Sequence, residues 1–206
     1  MVATSSNTKQ TFFDNWAGQY DLMINRVFMG SVHRRFWEMA KVPFGAQVLD
    51  VGCGTGQALI QLGRHRPDIS SMGLDLSWQM ISRAHQVHSL PKRLVFKQGD
   101  AMSLPFEDHS FDQVVCMLSF LHFADPLKVC EEIRRVLKPG GWFYWADIAG
   151  SEPLEAVSNW TFQALGAGDV QLFSHREREV LMGFAGLKPK GHQYLLGSIL
   201  LSGACR

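Results

Sequence analysis

Val48-Leu49-Asp50-Val51-Gly52-Cys53-Gly54-Thr55-Gly56 is the stretch that decides the fold. A short apolar run carrying one acid breaks into three alternating glycines, and a helical pattern begins at Gln57. Glycine tolerates positive φ and lets a ligand approach the backbone closely, and the helix start beyond it offers unpaired N–H groups. The stretch therefore reads as a buried strand, a ligand-holding turn and a helix, in the manner of a nucleotide-cofactor loop.

Its spacing separates the kinds of cofactor. The dinucleotide fingerprint needs glycine at the first, third and sixth positions of the turn, the last for close helix–strand packing. Counted from Gly52, the sixth position is Gln57. A phosphate loop fails too, because no Gly-Lys-Ser/Thr follows. Asp50 followed by Gly52, Gly54 and Gly56 resembles the first motif of the class I S-adenosylmethionine (SAM) dependent methyltransferases.

The neighbouring segments extend the resemblance. Ser71-Met72-Gly73-Leu74-Asp75-Leu76-Ser77 reads as a second strand ending in Asp75, nineteen residues after Gly56. An acid there can accept two hydrogen bonds from a ribose diol; the role of helix N-cap suits Ser77 better. Leu94-Val95-Phe96-Lys97-Gln98 reads as a third strand running into Gly99-Asp100-Ala101. Ser103 to Asp112 resembles the L-P-F-x-D-x-S-F-D connector of the same family and leads into Gln113 to Ser119, an apolar fourth strand. Arg135-Val136-Leu137-Lys138-Pro139-Gly140-Gly141 carries a helix stop of basic residue, proline and glycine. Trp142-Phe143-Tyr144-Trp145-Ala146 continues as a fifth strand. The resemblance thus covers residues 45–149 in five ordered blocks.

Strands at 47–52, 71–75, 94–97, 113–118 and 141–148 alternate with helical patterns at 56–65, 77–88 and 126–137. This alternation predicts an α/β fold: a Rossmann-like, doubly wound parallel sheet with ligands at the carboxyl ends of its strands. A helical segment near 152–166, a last helix from Ser174 to Gly183 and a hairpin of Leu187–Leu196 and Ser198–Cys205 about Gly197 follow. The resemblance implies that the hairpin completes a seven-stranded sheet whose last strand is antiparallel. The expected organisation is a single domain over 1–206: an N-terminal helical cap (1–44), a cofactor-binding core (45–149), an acceptor-site lid (150–174), and the last helix with the hairpin (175–206). No appended domain is expected after the hairpin.

Composition narrows the function classes. Twenty basic residues against nineteen acidic ones leave a formal charge of +1, so no general field favours nucleic acid or an anionic membrane. The clusters His33-Arg34-Arg35, Arg64-His65-Arg66 and His175-Arg176-Glu177-Arg178 read as solvated helix faces. Cys53, Cys116, Cys130 and Cys205 lack C-x-x-C spacing, and so predict reduced thiols in a cytoplasmic protein and no metal. The first ten residues lack the apolar core of a signal peptide, and no apolar stretch approaches the ~20 residues of a membrane span, so membrane contact is peripheral at most.

The family resemblance implies a site set. Asp50, Gly52, Gly54 and Gly56 would cradle the methionine portion of SAM, Asp75 with Leu76 the ribose, Asp100 and Ala101 the adenine, with Met117 covering the cofactor. Phe13-Asp14-Asn15-Trp16-Ala17-Gly18-Gln19-Tyr20-Asp21 resembles the opening of the ubiquinone/menaquinone C-methyltransferases, which implies Tyr20 near the methionine end. His122 in Ser119-Phe120-Leu121-His122-Phe123 follows the fourth strand and is the candidate base, since imidazole accepts a proton near neutral pH. Leu121 and His122 stand where the quinone family carries an arginine-asparagine pair, and the lid is shorter. Trp16, Phe120, Phe123, Trp160, Phe162 and Phe173 are candidate walls of an acceptor pocket. Three readings stay open: methyl transfer to a small molecule such as a quinol-like ring carbon; N- or O-methylation of an amine, phospholipid head group or hydroxyl; and a SAM-binding regulator without turnover.

Overall fold

The computed structural model describes residues 26–86, 91–149 and 170–206. The segment at 152–166 and the aromatic residues before Arg26 lie outside them. Helix α1 (Arg26–Met39) precedes β1 (Gln47–Val51). Next come α2 (Gln57–His65), β2 (Ser70–Asp75), α3 (Trp78–His85), β3 (Leu94–Gln98) and β4 (Phe111–Met117). A short 3-10 turn at Phe120–His122 leads into α4 (Pro126–Val136), β5 (Leu137–Ile148), α5 (His175–Phe184), β6 (Lys188–Leu196) and β7 (Ile199–Cys205).

The strands form one sheet in the order β3-β2-β1-β4-β5-β7-β6. Pairing is parallel from β3 through β5, whereas β7 runs antiparallel to both β5 and β6. The chain winds outward from β1 through β2 to β3, then returns to start β4 on the other side of β1. The order therefore reverses between β1 and β4, and a crevice opens beyond their carboxyl ends. The doubly wound seven-stranded sheet expected from the sequence is the sheet observed.

Strand periodicity divides the core in two. Leu49, Val51, Val114, Cys116, Phe143 and Trp145 point to one face and pack with Val129, Cys130 and Ile133 of α4 and Met182 of α5. Val48, Val115, Met117 and Ala146 point to the other, beneath α1, α2 and α3. By the same alternation Asp50 projects toward the face that carries α1 and α2.

Helix starts follow their capping residues. Ser77 Oγ accepts from the Met80 amide, and Asp125 caps α4 ahead of Pro126. Ser174 and Glu177 form a reciprocal capping box on α5. One boundary differs from expectation: α4 stops at Val136, and β5 already begins at Leu137, through Lys138-Pro139-Gly140. The ladder with β4 shifts register between Phe111 and Gln113, and that irregularity accommodates the proline and glycines.

The basic clusters are not uniformly solvated. Arg178 is 0% exposed: its guanidinium donates to the carbonyls of Phe173, Leu200, Asp147 and Ile148 and lies 4.6 Å over the Trp145 ring. His33 is also buried, while Arg34 and Arg35 beside it are exposed. Arg66 is tied to Asp68 and to the carbonyls of Val42 and Pro43. The four cysteines are free thiols. No helix among the described residues is long and apolar enough to cross a membrane.

Candidate functional site

The glycine loop is strung between β1 and β2. Gly52 and Cys53 donate their amides to the Leu74 carbonyl, and Gly54 donates to Asp75 Oδ2 at 2.8 Å. The other carboxylate oxygen of Asp75 accepts from the Ser77 amide at 2.9 Å, so one acid ties the loop to the start of α3. Gly56 occupies the N-cap of α2 with φ 75°. A Cβ there would lie 2.2 Å from the Phe96 ring, so the close approach of loop to β3 demands glycine. At Gly54, φ 53°, a Cβ would meet nothing within 4 Å. Gly54 is thus open on the side where a ligand can reach the backbone.

Beside the loop lies a cleft of about 360 Å³ between the carboxyl ends of β1 and β4 and helices α1 and α2. Asp50, Gly52, Gly54 and Met117 line it and Gly56 does not; Met29, His33, Gln57, Gln61 and Leu118 line it as well. Leu118 takes φ 54° at the end of β4, a strained setting for a non-glycine residue, with its amide held by the Ala146 carbonyl.

Asp50 is 2% exposed, and its Oδ1 has no hydrogen-bond partner among the described residues. Burial, and then the negative charge of Asp75, push its carboxyl up to about 8. Burial pushes the His33 imidazole down to about 4, so it is neutral through the physiological range. The wall therefore offers acceptors, one of them an acid short of a counter-charge, next to backbone with no side chain. Those features fit the amino-acid end of SAM, which brings an ammonium donor and a sulfonium charge.

The remaining cofactor candidates sit on an adjoining shoulder. The Gly99 amide donates to the Asp75 carbonyl and the Gln98 side chain to the Leu76 carbonyl, which brings the ends of β2 and β3 together. Asp100 accepts from the Met102 amide, and Ala101 is buried beside it. Asp75, Leu76, Asp100 and Ala101 thus share one end of the sheet with the cleft without lining it.

His122 closes the 3-10 turn after β4, half-buried, and does not line the cleft. The turn is braced at its middle residue: the Leu121 amide donates to Asp147 Oδ2 at 3.2 Å, and its carbonyl accepts from the Gln171 amide at 2.9 Å. Asp147 is 1% exposed; burial pushes its carboxyl up to about 6, with the Arg178 charge opposing. Phe120 is fully buried, 3.9 Å from the Trp145 ring centroid, and Phe173 packs edge-on against both. These two aromatics are core, not pocket wall, because the β4 turn folds them under α5. Phe123 is half-buried against Phe120. Tyr20, Trp16, Trp160 and Phe162 lie outside the described residues.

Met29, His33, Gln57, Gln61 and Leu118 were not singled out from the sequence. Gln57 and Gln61, four apart on α2, do share one polar helix stripe, which is the signal their spacing offered.

The family described as "Methyltransferase domain" matches residues 49–145. The chain is 42% identical to the "Probable phthiotriol/phenolphthiotriol dimycocerosates methyltransferase 2" of Mycobacterium ulcerans, over 72% of this chain and 57% of that protein. It is 33% identical to the demethylmenaquinone methyltransferase of Lactiplantibacillus plantarum, over 82% of this chain and 76% of that protein. Against several curated relatives, the M. ulcerans protein included, the match spans little more than half their length, 56–57%. Among solved structures, a chain of the complex between the Haloferax volcanii Trm112 methyltransferase activator and a methyltransferase superposes with a TM-score of 0.80. It shares 27% identity and the match covers 94% of this chain and 96% of that one.

Proposed function

We propose that this chain, which belongs to the class I SAM-dependent methyltransferases, transfers a methyl group to a small-molecule acceptor. The observation that carries the reading is the buried, unpartnered Asp50 oxygen in a cleft whose floor is the open backbone of Gly54. SAM, when bound, supplies a methyl group already activated for in-line displacement. The protein's part is to hold and orient both reactants and to exclude water.

Asp50, Gly52, Gly54 and Gly56 hold the methionine portion, with Met117 against it. Asp75, with Leu76 beside it, takes the ribose hydroxyls, and Asp100 and Ala101 flank the adenine. By the family resemblance Tyr20 would serve the methionine end and residues 150–174 the acceptor side. His122 is the proton acceptor, on a turn that Asp147 holds through the Leu121 amide.

The acceptor we favour is a quinol-like ring carbon, in keeping with the demethylmenaquinone methyltransferase among the relatives. Leu121 and His122, in place of the arginine-asparagine pair, favour a second reading: N- or O-methylation of an amine, phospholipid head group or hydroxyl. A SAM-binding regulator without turnover is the third. The protein works in the cytoplasm, touching membrane at most peripherally and with no call on nucleic acid.

Calorimetric titration with SAM and, separately, NADH tests the cofactor. Saturable SAM binding without NADH binding is expected, and no SAM binding overturns the proposal. A methyl-transfer screen beginning with quinols and then amines separates the acceptor classes. In whichever reaction is found, a single-turnover rate unchanged in His122→Ala removes His122 as the base.

A further inference from the structure

Four buried side-chain polar atoms among the described residues lack a hydrogen-bond partner: Asp50 Oδ1, Gln61 Oε1, Trp145 Nε1 and Ser202 Oγ. Gln61 Oε1 can only accept, as Asp50 Oδ1 does once that carboxyl is ionised, and both belong to residues that line the same cleft. Gln61 is orientated: its Nε2 reaches back toward the Gly30 carbonyl at 3.5 Å, and only the amide nitrogen can donate there. The oxygen is consequently the end left for a ligand.

A buried acceptor without a donor costs stability, and two of them in one cleft call for a ligand that brings several donors. Among the described residues no lysine or arginine lines the cleft. Of the described side chains that do, His33 is held neutral by burial, and Asp50, raised to about 8, is the acid that can ionise when a cation enters beside it. A carboxylate lodged between Asp50 and Gln61 would face the Gln61 acceptor and could be met only by the proton of a neutral Asp50. An ammonium, compact, cationic and with three N–H groups, answers both.

We propose that Gln61 is a specificity-determining residue of the cofactor site, which with Asp50 recognises the ammonium terminus of the cofactor's amino-acid portion and so rejects deaminated adenosyl thioethers. This rests on the reading of the cleft as the methionine end of a SAM site. Asp50 supplies charge, which attracts a cation from any direction. Gln61, fixed by Gly30 and carried on α2, supplies the second direction that distinguishes an ammonium from a methylene of similar size.

The test is calorimetry on the full chain with S-adenosylhomocysteine and with its deaminated analogue, which carries a butyrate chain in place of the amino acid. The wild type is expected to prefer S-adenosylhomocysteine by at least roughly tenfold, the scale of a hydrogen bond to a charged group. Gln61→Met, close in length and without an acceptor oxygen, is expected to weaken S-adenosylhomocysteine about tenfold and leave the analogue within about twofold. Equal effects on the two ligands, or no effect on either, overturn the assignment while leaving the cofactor site intact. A wild type that binds neither SAM nor S-adenosylhomocysteine removes the cofactor reading, and this inference with it. The wild-type preference reads the ammonium subsite as a whole, and the share of Gln61 is read from the variant, its fold checked by circular dichroism.

Discussion

Gly56→Ala and Gly54→Ala impose nearly the same backbone strain and should have opposite consequences. Both residues sit in the left-handed region, at φ 75° and 53°. Placing an alanine there costs roughly 1–2 kcal/mol. The surroundings then part them. At Gly56 a Cβ would stand 2.2 Å and 2.4 Å from two carbons of the Phe96 ring, more than 1 Å inside the ~3.5–4.0 Å of an ordinary carbon contact. The ring cannot withdraw easily, because Phe96 is 5% exposed, lies against Gly73 and meets His85 edge-on. Overpacking of this kind costs a further ~1–3 kcal/mol, for a total near 2–5 kcal/mol. Gly54→Ala carries only the strain, since a Cβ there meets nothing within 4 Å. Urea unfolding followed by circular dichroism should rank Gly56→Ala about 1–3 kcal/mol below Gly54→Ala. The gap should close when Phe96 is first changed to leucine. In calorimetry the order reverses: Gly54→Ala, its added methyl in the ligand's place, should abolish SAM binding while losing only the ~1–2 kcal/mol of backbone strain. Two variants of equal stability, or a gap indifferent to Phe96, would refute the reading that an added Cβ meets the Phe96 ring at Gly56 and open space at Gly54.

Other perturbations probe the acids and the buried cation. Asp50 is raised to about 8 from an unfolded value near 3.9, by burial first and then by Asp75. Its contribution to stability is therefore complete below pH ~4 and is lost as pH climbs toward ~8, because the unfolded chain releases that proton earlier. Asp50→Asn should flatten the fall in urea midpoint between pH 5 and 8, and parallel profiles for variant and wild type would contradict it. Arg178→Met leaves Asp147 buried without its cation and deprives four carbonyls of a donor, and should cost about 3–5 kcal/mol in urea unfolding. A loss under ~1 kcal/mol would mean that the buried guanidinium is dispensable. Asp75→Ala should weaken SAM by roughly 1–3 kcal/mol in calorimetry, and lower stability besides, because the Gly54 and Ser77 amides lose their acceptor. Unchanged affinity with an intact fold would take Asp75 out of the ribose site.

Much of the scaffold was legible along the chain because its causes are local. The loop from Asp50 to Gly56 announces itself through glycines that must adopt positive φ; Ser77 and the Ser174/Glu177 pair mark helix starts because their oxygens reach amides two or three residues away. Short apolar runs punctuated by such signals fix the order of strands, and order alone puts Asp50, Asp75 and Asp100 at one end of the sheet. Leu137 entering β5 four residues early is the exception, since a partner strand overrode a local stop signal. What the chain could not disclose depends on which face of each helix meets what. Arg178 reads as one more cation in a basic run; only the fold supplies four carbonyls and the Trp145 ring around it. Phe120 and Phe173 read as candidate pocket walls though each alone more readily as core, and the turn after β4 packs both into the core. His33 and Gln61 belong to the cleft because α1 and α2 dock on the face of the sheet toward which Asp50 points. Local conformation is dictated by neighbours in sequence, whereas burial and hydrogen-bond partnership are dictated by neighbours in space, and those exist only once the helices have packed.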